Sequence, residues 1–233
     1  MSLESNLIKT LEFENERYLD IKRLTIDYLD QASDLTTNVF RTEGPVCSVM
    51  EEDETVLSSF IKTEVNKSLN QGIGVMAIDR ETEKIVGCQL MSDCASTEEE
   101  TEIFNTAIQK MEWNKKIFQK IMGDYFEENQ FIRRQAMYIG FLSVHPQYRK
   151  MGLGRTLVTQ AIKMSKEKGY ERCCIWCTSI YSQMICQKLG FKIRKEISYQ
   201  DLTVDGQYLW KNTFEKHKTP STTCSELILT KYH

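Results

Sequence analysis

Hydrophobic and polar positions along this chain follow two periods, one typical of helices and one typical of strands. Apolar residues recur at steps of three and four in segments 26–41, 54–71 and 101–129, which predicts amphipathic helices, the last with a break near Gly123. Short apolar runs bounded by polar residues or glycine predict strands. The predicted strands cover residues 19–25, 73–79, 84–92, 138–144, 171–177, 191–199 and 225–231, with further helices at 154–168 and 179–189. This order predicts one α/β or α+β domain over residues 1–233, with a core from about residue 19 onward.

Composition and charge narrow the function classes. The chain has 233 residues, with 30 Lys and Arg against 33 Asp and Glu, so its net charge is −3 and we expect no nucleic-acid partner. A hydrophobic content of 41% excludes a disordered chain, and the low count of 11 Gly and 3 Pro favours long regular elements. No apolar run reaches the length of about 20 residues that a membrane helix needs, so no membrane partner is expected.

Cysteine and histidine usage indicates a reduced, cytoplasmic protein. The first six residues lack the pattern of a secretory signal, so we expect the eight cysteines to stay as thiols. Cys174-Ile-Trp-Cys177 lies inside an apolar run and is interpreted as buried core thiols rather than a redox or metal pair. Only three histidines are present, so we expect no metal site and no histidine-activated nucleophile; His145 is interpreted as a turn residue.

The segment from Leu142 to Arg155 carries the strongest chemical pattern. A buried strand ends at Val144, a loop holds Gly152 and Gly154, and a helix begins. Glycine lets backbone amides approach a ligand, and a helix N-terminus presents unpaired N–H groups and the positive end of its dipole. These features favour a diphosphate site, although a tight strand-to-helix turn needs glycine for steric reasons alone. The spacing matches neither a P-loop nor a dinucleotide fingerprint.

Two motifs resemble the GNAT acyltransferase superfamily. The first, Val144-x-Pro146-x-x-Arg149-x-x-Gly152-x-Gly154, resembles its acetyl-CoA loop. The second, Lys188-Leu189-Gly190-Phe191, resembles the helix end that precedes a strand in that superfamily, and its Gly190 lies 36 residues after Gly154. The resemblance implies the GNAT fold, in which helices flank a central mixed, mostly antiparallel sheet. A V-shaped opening is then expected between the fourth and fifth predicted strands.

Finer features are similar to insect-type arylalkylamine N-acetyltransferases. These features are the segment 178–182, a helical insertion before the fourth predicted strand, and Phe40-x-x-Glu43-x-Pro45. The similarity implies acetyl-CoA as co-substrate and a small arylalkylamine, of the dopamine, serotonin, tryptamine or tyramine type, as acceptor.

The resemblance also implies where acetyl-CoA binds. The diphosphate is expected on the amides of the glycine loop, and the pantetheine arm is expected to pair with the fourth predicted strand, where a backbone N–H near Leu142 would polarise the thioester carbonyl. The implied binding residues are Leu142, Ser143, Val144, Arg149, Lys150, Met151, Gly152, Leu153, Gly154, Arg155, Ser179 and Ser182. For Ser179, a helix N-cap is an equally good interpretation.

The implied chemistry is direct attack of a primary amine on the thioester, with a carboxylate as base. By resemblance that base is Glu43. For the departing thiolate two alternatives stay open: a CoA thiol has an ordinary pKa near 8.5 and can leave without a strong acid, and Ser182 is the second choice, as a proton donor. The family pattern places the acid directly before the proline, whereas Gly44 stands there in this chain. Three neighbouring acids therefore stay as alternatives to Glu43, namely Glu51, Glu52 and Asp53.

Two other functions stay open at this point. The same fold can acetylate polyamines, aliphatic amines, amino acids or protein amines, and an acidic pocket would favour a polyamine. A CoA-binding module with little catalysis is the second alternative, because the family's tyrosine position before the Gly-Phe end holds Cys186. We expect a monomer or a weak homodimer.

Overall fold

One mixed β-sheet organises the computed structural model, which describes residues 6–13, 17–50, 53–109 and 111–229. The strands within these residues are β1 (Leu7–Phe13), β2 (Arg17–Arg23), β3 (Val75–Asp79), β4 (Ile85–Asp93), β5 (Ala136–Val144), β6 (Arg172–Cys177), β7 (Lys192–Ser198) and β8 (Ser221–Ile228). Their order across the sheet is β1-β2-β3-β4-β5-β6-β8-β7. Neighbours are antiparallel except β5 and β6, which are parallel, so the expected mixed, mostly antiparallel sheet is confirmed.

Helices cover both faces of this sheet. Within the described residues they are α1 (Leu29–Glu43), α2 (Cys47–Met50), α3 (Glu54–Asn70), α4 (Glu98–Ile108), α5 (Glu112–Asn129), α6 (Leu153–Glu167), α7 (Ile180–Lys188) and α8 (Thr213–His217). Side chains alternate along β3: Val75 and Ala77 join the core cluster of α6, whereas Met76 and Ile78 join the cluster of α1 and α3. The central strands are therefore buried on both faces.

The sheet opens between β5 and β6. Their parallel ladder covers only three pairs, from Ala136 with Arg172 to Tyr138 with Cys174, although β5 continues to Val144. On its other side, β5 carries an extra residue against β4 between the pairs Gln89–Leu142 and Met91–Ile139. Such a bulge bends a strand and increases its twist. The expected opening is confirmed, and it leaves one edge of β5 without a strand partner beyond Tyr138.

The prediction missed β1 and the short helices α2 and α8, and it misplaced the break in the helix 101–129. The strand β1 was not predicted, because its register against β2 shifts between Leu7 and Lys9 and the chain there shows no clean alternation. The predicted helix 101–129 is two helices, α4 and α5, and the break lies before Met111 rather than at Gly123. Met111 is buried and continues the apolar stripe across the break, so the hydrophobic periodicity gives no sign that one helix ends and another begins there. No helix among the described residues is long and apolar enough to span a membrane.

Candidate active site

A cavity of about 1100 Å³ lies where β5 and β6 part. Helices α1, α3, α4 and α5 line one part of it, and the loop before α6, the start of α7 and the segment 216–219 line another. Most of the residues singled out from the sequence line this one cavity, although they come from distant parts of the chain. The cavity thus joins the glycine loop to a region walled by aromatic side chains.

The loop between β5 and α6 has a backbone suited to an anion. Lys150 and Gly152 both lie in the left-handed region, with φ of 63° and 78°. Gly152 is the N-cap of α6, and a Cβ built on it would meet nothing within 4 Å, so the space beside it is open to a ligand. The N–H of Thr156 bonds back to the carbonyl of Gly152 at 3.0 Å. The N–H groups earlier in that turn therefore have no helical partner and can receive a diphosphate.

Three hydrogen bonds hold this loop in place. The hydroxyl of Tyr148 donates to Asp79 Oδ2 at 2.5 Å, and both residues are buried. Arg149 Nε donates to the carbonyl of Val144 at 3.2 Å. The His145 ring accepts from the N–H of Gln147 at 3.4 Å, so His145 is a turn residue as the sequence predicted.

More cations line the cavity than the sequence motif indicated. Arg149, Lys150 and Arg155 line it as expected. Four lysines line it as well, namely Lys67, Lys188, Lys216 and Lys218. Lys188 belongs to the second motif, but no charge role was assigned to it from the sequence, and the other three follow no motif. Together with the dipole of α6, these cations create a positive region suited to phosphate groups.

The free edge of β5 presents alternate backbone groups to the cavity. The N–H of His145 donates to the carbonyl of Val86 on β4 at 2.9 Å. Because ladder bonds alternate in an antiparallel pair, the N–H and C=O of Leu142 and Val144 point to the opposite, open edge. Both residues line the cavity.

Two of the implied binding residues have side chains elsewhere. Ser143 is fully buried, with its Oγ 3.0 Å from Thr36 Oγ1 and 3.4 Å from the carbonyl of Cys88. Met151 packs against the core cluster of α6. Neither lines the cavity. The side chain of Ser143 faces α1 because strand side chains alternate between the faces of the sheet.

Ser179 and Ser182 form a capping box at the start of α7. Ser179 Oγ accepts from the N–H of Ser182 at 3.2 Å, and Ser182 Oγ donates to the carbonyl of Ser179 at 2.8 Å. The N-cap interpretation of Ser179 is confirmed. Both residues also line the cavity, so the cap of α7 forms part of its wall.

Glu43 lies at the end of α1, next to the glycine loop. Its carboxylate forms an ion pair with Arg149, and its side chain is 43% exposed. This contact ties the Glu43 side chain to the residue that opens the glycine loop. Of the alternative acids, Asp53 accepts from the N–H of Thr55 as the N-cap of α3, and Glu51 and Glu52 lie outside the described residues.

A second carboxylate lines the cavity, and sequence reasoning missed it. Glu64 on α3 is 7% exposed, and its Oε1 has no hydrogen-bond partner among the described residues. Burial raises the pKa of this carboxyl above its usual value, and the opposing charge of Lys67 lowers it by less. The sequence did contain a signal for this burial. Glu64 lies four residues after Phe60 and three residues after Ile61, which places it on the apolar stripe of its helix.

Aromatic side chains wall the part of the cavity near Glu64. Phe141 of β5 lies 5.1 Å from Phe40 and 5.9 Å from Phe60, measured between ring centroids. Phe104 of α4 lies 6.0 Å from Phe60. A second group of rings lies around Phe118, whose centroid is 6.0 Å from that of Tyr138 and 5.6 Å from that of Trp176. All of these residues line the cavity, so it is suited to a flat apolar ligand.

The cysteines of the CxxC motif are buried thiols on β6, as predicted. Cys174 Sγ lies 3.3 Å from Cys94 Sγ, and Cys177 Sγ lies 3.6 Å from Cys186 Sγ. All eight cysteines are free. Among the described residues no group of three or more histidine, cysteine or acidic side chains is arranged to hold a metal ion.

A family model described as the acetyltransferase (GNAT) family matches residues 36–191. The chain belongs to the GNAT family of acetyltransferases. The match contains the glycine loop and ends at Phe191, the last residue of the second motif. The sequence-based assignment to this superfamily and to acetyltransferase enzymes is therefore confirmed.

Solved structures share this GNAT fold at low sequence identity. Arylalkylamine N-acetyltransferase 2 from Aedes aegypti is 17% identical, with 91% of this chain and 99% of that chain covered and a TM-score of 0.73. A Drosophila melanogaster polyamine N-acetyltransferase that forms N-acetylagmatine is 19% identical, with 91% and 100% covered and a TM-score of 0.66. YncA, a Salmonella typhimurium protein solved with acetyl-CoA, is 12% identical, with 92% and 96% covered and a TM-score of 0.54. A search of curated proteins finds no match.

The residues of this GNAT site fit acetyl-CoA on three counts. The space beside Gly152 is open, the first turn of α6 offers N–H groups, and at least six cationic side chains line the same cavity. The free edge of β5 can pair with an extended arm that carries amides. Phe141 of the aromatic region directly precedes Leu142 on the same strand.

Proposed function

We propose that this protein transfers the acetyl group of acetyl-CoA to the primary amine of a small arylalkylamine. One observation carries the proposal: a single cavity combines a cationic glycine loop, a free strand edge and an aromatic pocket that contains a buried carboxylate. The first two features suit the diphosphate and pantetheine parts of CoA. The third suits an aromatic ring that carries an ammonium group.

Acetyl-CoA is proposed to lie along β5. The amides from Lys150 to Gly154 bind the diphosphate, with charge from Arg149 and Arg155. The pantetheine arm pairs with Leu142 and Val144, whose backbone groups face the opening, and the N–H of Leu142 polarises the thioester carbonyl. Ser143 and Met151 support this arrangement from the core, since their side chains face away from the cavity.

The proposed chemistry is direct attack in a ternary complex. A primary amine has a pKa near 10.4, so on the order of one molecule in 10³ is free base at neutral pH. A carboxylate in the cavity removes the first proton, the nitrogen attacks the carbonyl carbon, and the C–S bond breaks. The second proton of the nitrogen passes to the thiolate, for which Ser182 is the proposed donor. Glu43, the base suggested by the sequence, lies in the same cavity and is paired with Arg149.

Aromatic amines suit this cavity better than polyamines. A polyamine carries a second cation that needs its own acidic partner. Among the described residues that line the cavity, the carboxylates other than Glu64 are Glu43 and Asp93, and these are in ion pairs with Arg149 and Arg133. The free cysteines are consistent with a cytoplasmic setting.

A panel of acceptors tests the proposal. The protein is incubated with acetyl-CoA and tryptamine, serotonin, dopamine, tyramine, hexylamine, spermidine or a lysine peptide, and acetylated product is measured by mass spectrometry. We expect the aromatic amines to give the highest kcat/KM. Turnover led by spermidine or hexylamine would overturn the acceptor class and keep the reaction. Acetyl-CoA binding without any product would favour a binding module instead.

A further inference from the structure

Glu64 is a buried carboxylate in the wall of the cavity. It belongs to α3, which lines the cavity with Leu57, Phe60, Glu64 and Lys67. We infer that Glu64 receives the acceptor: its carboxylate binds the ammonium group of the amine and then takes its proton. This inference rests on the proposed function and names the residue that selects a cationic acceptor and prepares it for attack.

The burial of Glu64 without a partner is the first argument. An ionised carboxylate away from water is strongly unfavourable unless a cation or several hydrogen bonds compensate it. Glu64 is 7% exposed, its Oε1 has no hydrogen-bond partner, and it forms no ion pair among the described residues. The protein alone therefore does not satisfy this group, whereas a primary ammonium offers one positive charge and three donors to it.

The position of Lys67 supports the same conclusion. Lys67 lies one turn after Glu64 on α3 and is the nearest charged side chain of that helix in the cavity. Its Nζ bonds to Ser96 Oγ at 3.0 Å rather than to Glu64. The carboxylate thus keeps an unfilled position for a cation, and the neighbouring lysine does not occupy it.

The groups around Glu64 bear on its titration. Among the described residues of α1, α2, α3, β4 and β5, the other titratable side chains that line the cavity are Glu43, Cys47, Lys67, Asp93 and Tyr138, and Cys88 of β4 lies in the core cluster beside α3. Helix α4 lines the cavity with Thr101, Phe104 and Ile108, and none of these is charged. Burial raises the pKa of Tyr138 well above its usual value and that of Cys88 to about 12, so both stay neutral near pH 7. Burial also raises the pKa of the Glu64 carboxyl itself, which strengthens it as a base.

The proton balance of the step is simple. The bound ammonium transfers one proton to the Glu64 carboxylate, which leaves a neutral amine and a neutral carboxylic acid. The amine nitrogen forms the new C–N bond as the C–S bond of the thioester breaks, and the second nitrogen proton goes to the thiolate of CoA. Glu64 then returns its proton to solvent. No oxidant or further reactant is needed.

Glu43 is the matched control for Glu64, because both acids line the same cavity but differ in their pairing and burial. Glu43 is paired with Arg149 beside the glycine loop and is 43% exposed, whereas Glu64 is buried among Phe60 and its neighbours. If Glu64 acts on the amine, Glu43→Gln should affect acetyl-CoA and Glu64→Gln should affect the acceptor. The two isosteric changes thus separate the two roles.

The test compares wild type, E64Q, E64D and E43Q with tryptamine as acceptor from pH 6 to 10. We expect E64Q to lose about 10²- to 10⁴-fold in kcat/KM for tryptamine at pH 7. This loss should shrink towards pH 10, where free amine becomes plentiful. E64D should keep part of the activity and the wild-type form of the pH profile. E43Q should change kcat/KM for tryptamine by less than about tenfold, by a factor that does not vary with pH, and should raise the KM for acetyl-CoA.

Binding measurements distinguish this role from a structural one. Titration calorimetry with acetyl-CoA should give E64Q a Kd within about twofold of wild type, and tryptamine affinity in the presence of CoA should fall about tenfold or more. If wild type acetylates tryptamine and E64Q keeps its rate and pH profile, the inference about Glu64 is wrong while the proposed function stands. If wild type acetylates no amine, the proposed function itself fails. Loss of acetyl-CoA binding in both E64Q and E64D would mark Glu64 as structural and overturn the inference.

Discussion

Gly152 offers a test of the proposed diphosphate site, and Gly169 at the other end of α6 provides a matched control. Gly152 precedes α6 with φ of 78°, and Gly169 follows α6 with φ of 80°. A Cβ built on either residue would meet nothing within 4 Å. Replacement by alanine therefore introduces the same backbone strain at both positions and no clash at either, but only Gly152 lies in the candidate binding loop.

The expected sizes follow from this geometry. A residue with a Cβ in the left-handed region costs about 1–2 kcal/mol. In a chain of this length, 1 kcal/mol lowers Tm by about 2–4 °C, so each variant should melt about 2–8 °C below wild type. In Gly152→Ala the methyl group also occupies the space beside the loop amides. Loss of one hydrogen bond to a charged group costs about 1.5–3 kcal/mol, which raises the Kd for acetyl-CoA by about 10- to 100-fold.

Calorimetric titration with acetyl-CoA and thermal melts of both variants provide the assay. We expect similar melting temperatures, a Kd raised at least about tenfold in Gly152→Ala, and a Kd within about twofold of wild type in Gly169→Ala. Equal affinity in the two variants would refute the assignment of the diphosphate to this loop. A raised Kd in Gly169→Ala as well would show that backbone strain, rather than the lost space beside the loop, weakens binding.

Three further predictions concern the rest of the cavity. Ser179→Ala removes the N-cap of α7 and should lower the free energy of unfolding by about 1 kcal/mol, measured in thermal melts. Ser182→Ala should also lower kcat if Ser182 supplies the thiolate proton. An unchanged kcat in Ser182→Ala would argue against that role. Phe104→Leu keeps apolar volume but removes an aromatic face worth about 0.5–1.5 kcal/mol, so the preference for tryptamine over hexylamine, measured as a ratio of kcat/KM, should fall by about 2- to 12-fold. Burial raises the pKa of Glu64 above its unfolded value, so the folded chain holds this proton more tightly and wild-type stability falls as pH rises above about 4. Glu64→Gln should therefore melt higher than wild type near pH 7, with a difference that disappears towards pH 4, and a difference independent of pH would contradict the burial argument.

Local patterns were sufficient for most of the fold. The apolar periodicity predicted α1, α3, α6 and α7 and the central strands, because these elements bury one or both faces in the core. The glycine loop and the helix end at Gly190 combine special backbone geometry with fixed spacing, so they were readable without tertiary contacts. The strand β1 and the break between α4 and α5 escaped prediction, since a shifted register hides the first and a buried Met111 hides the second.

The candidate site likewise has one part that the sequence could predict and one part that it could not. Its contiguous part, from Leu142 to Arg155, could be predicted because neighbouring residues along one loop supply the amides and the charges. The state of each acid could not be predicted: sequence alone does not show that Arg149 pairs with Glu43 or that Glu64 lacks a partner. Lys188 at the end of α7 and Lys216 and Lys218 at the end of α8 likewise line the cavity only because the chain after β6 folds back towards it. The sequence by itself determined the class of fold and singled out the glycine loop that we propose binds the diphosphate, whereas the tertiary structure decided which carboxylate is buried, because burial and pairing depend on contacts between segments that lie far apart along the chain.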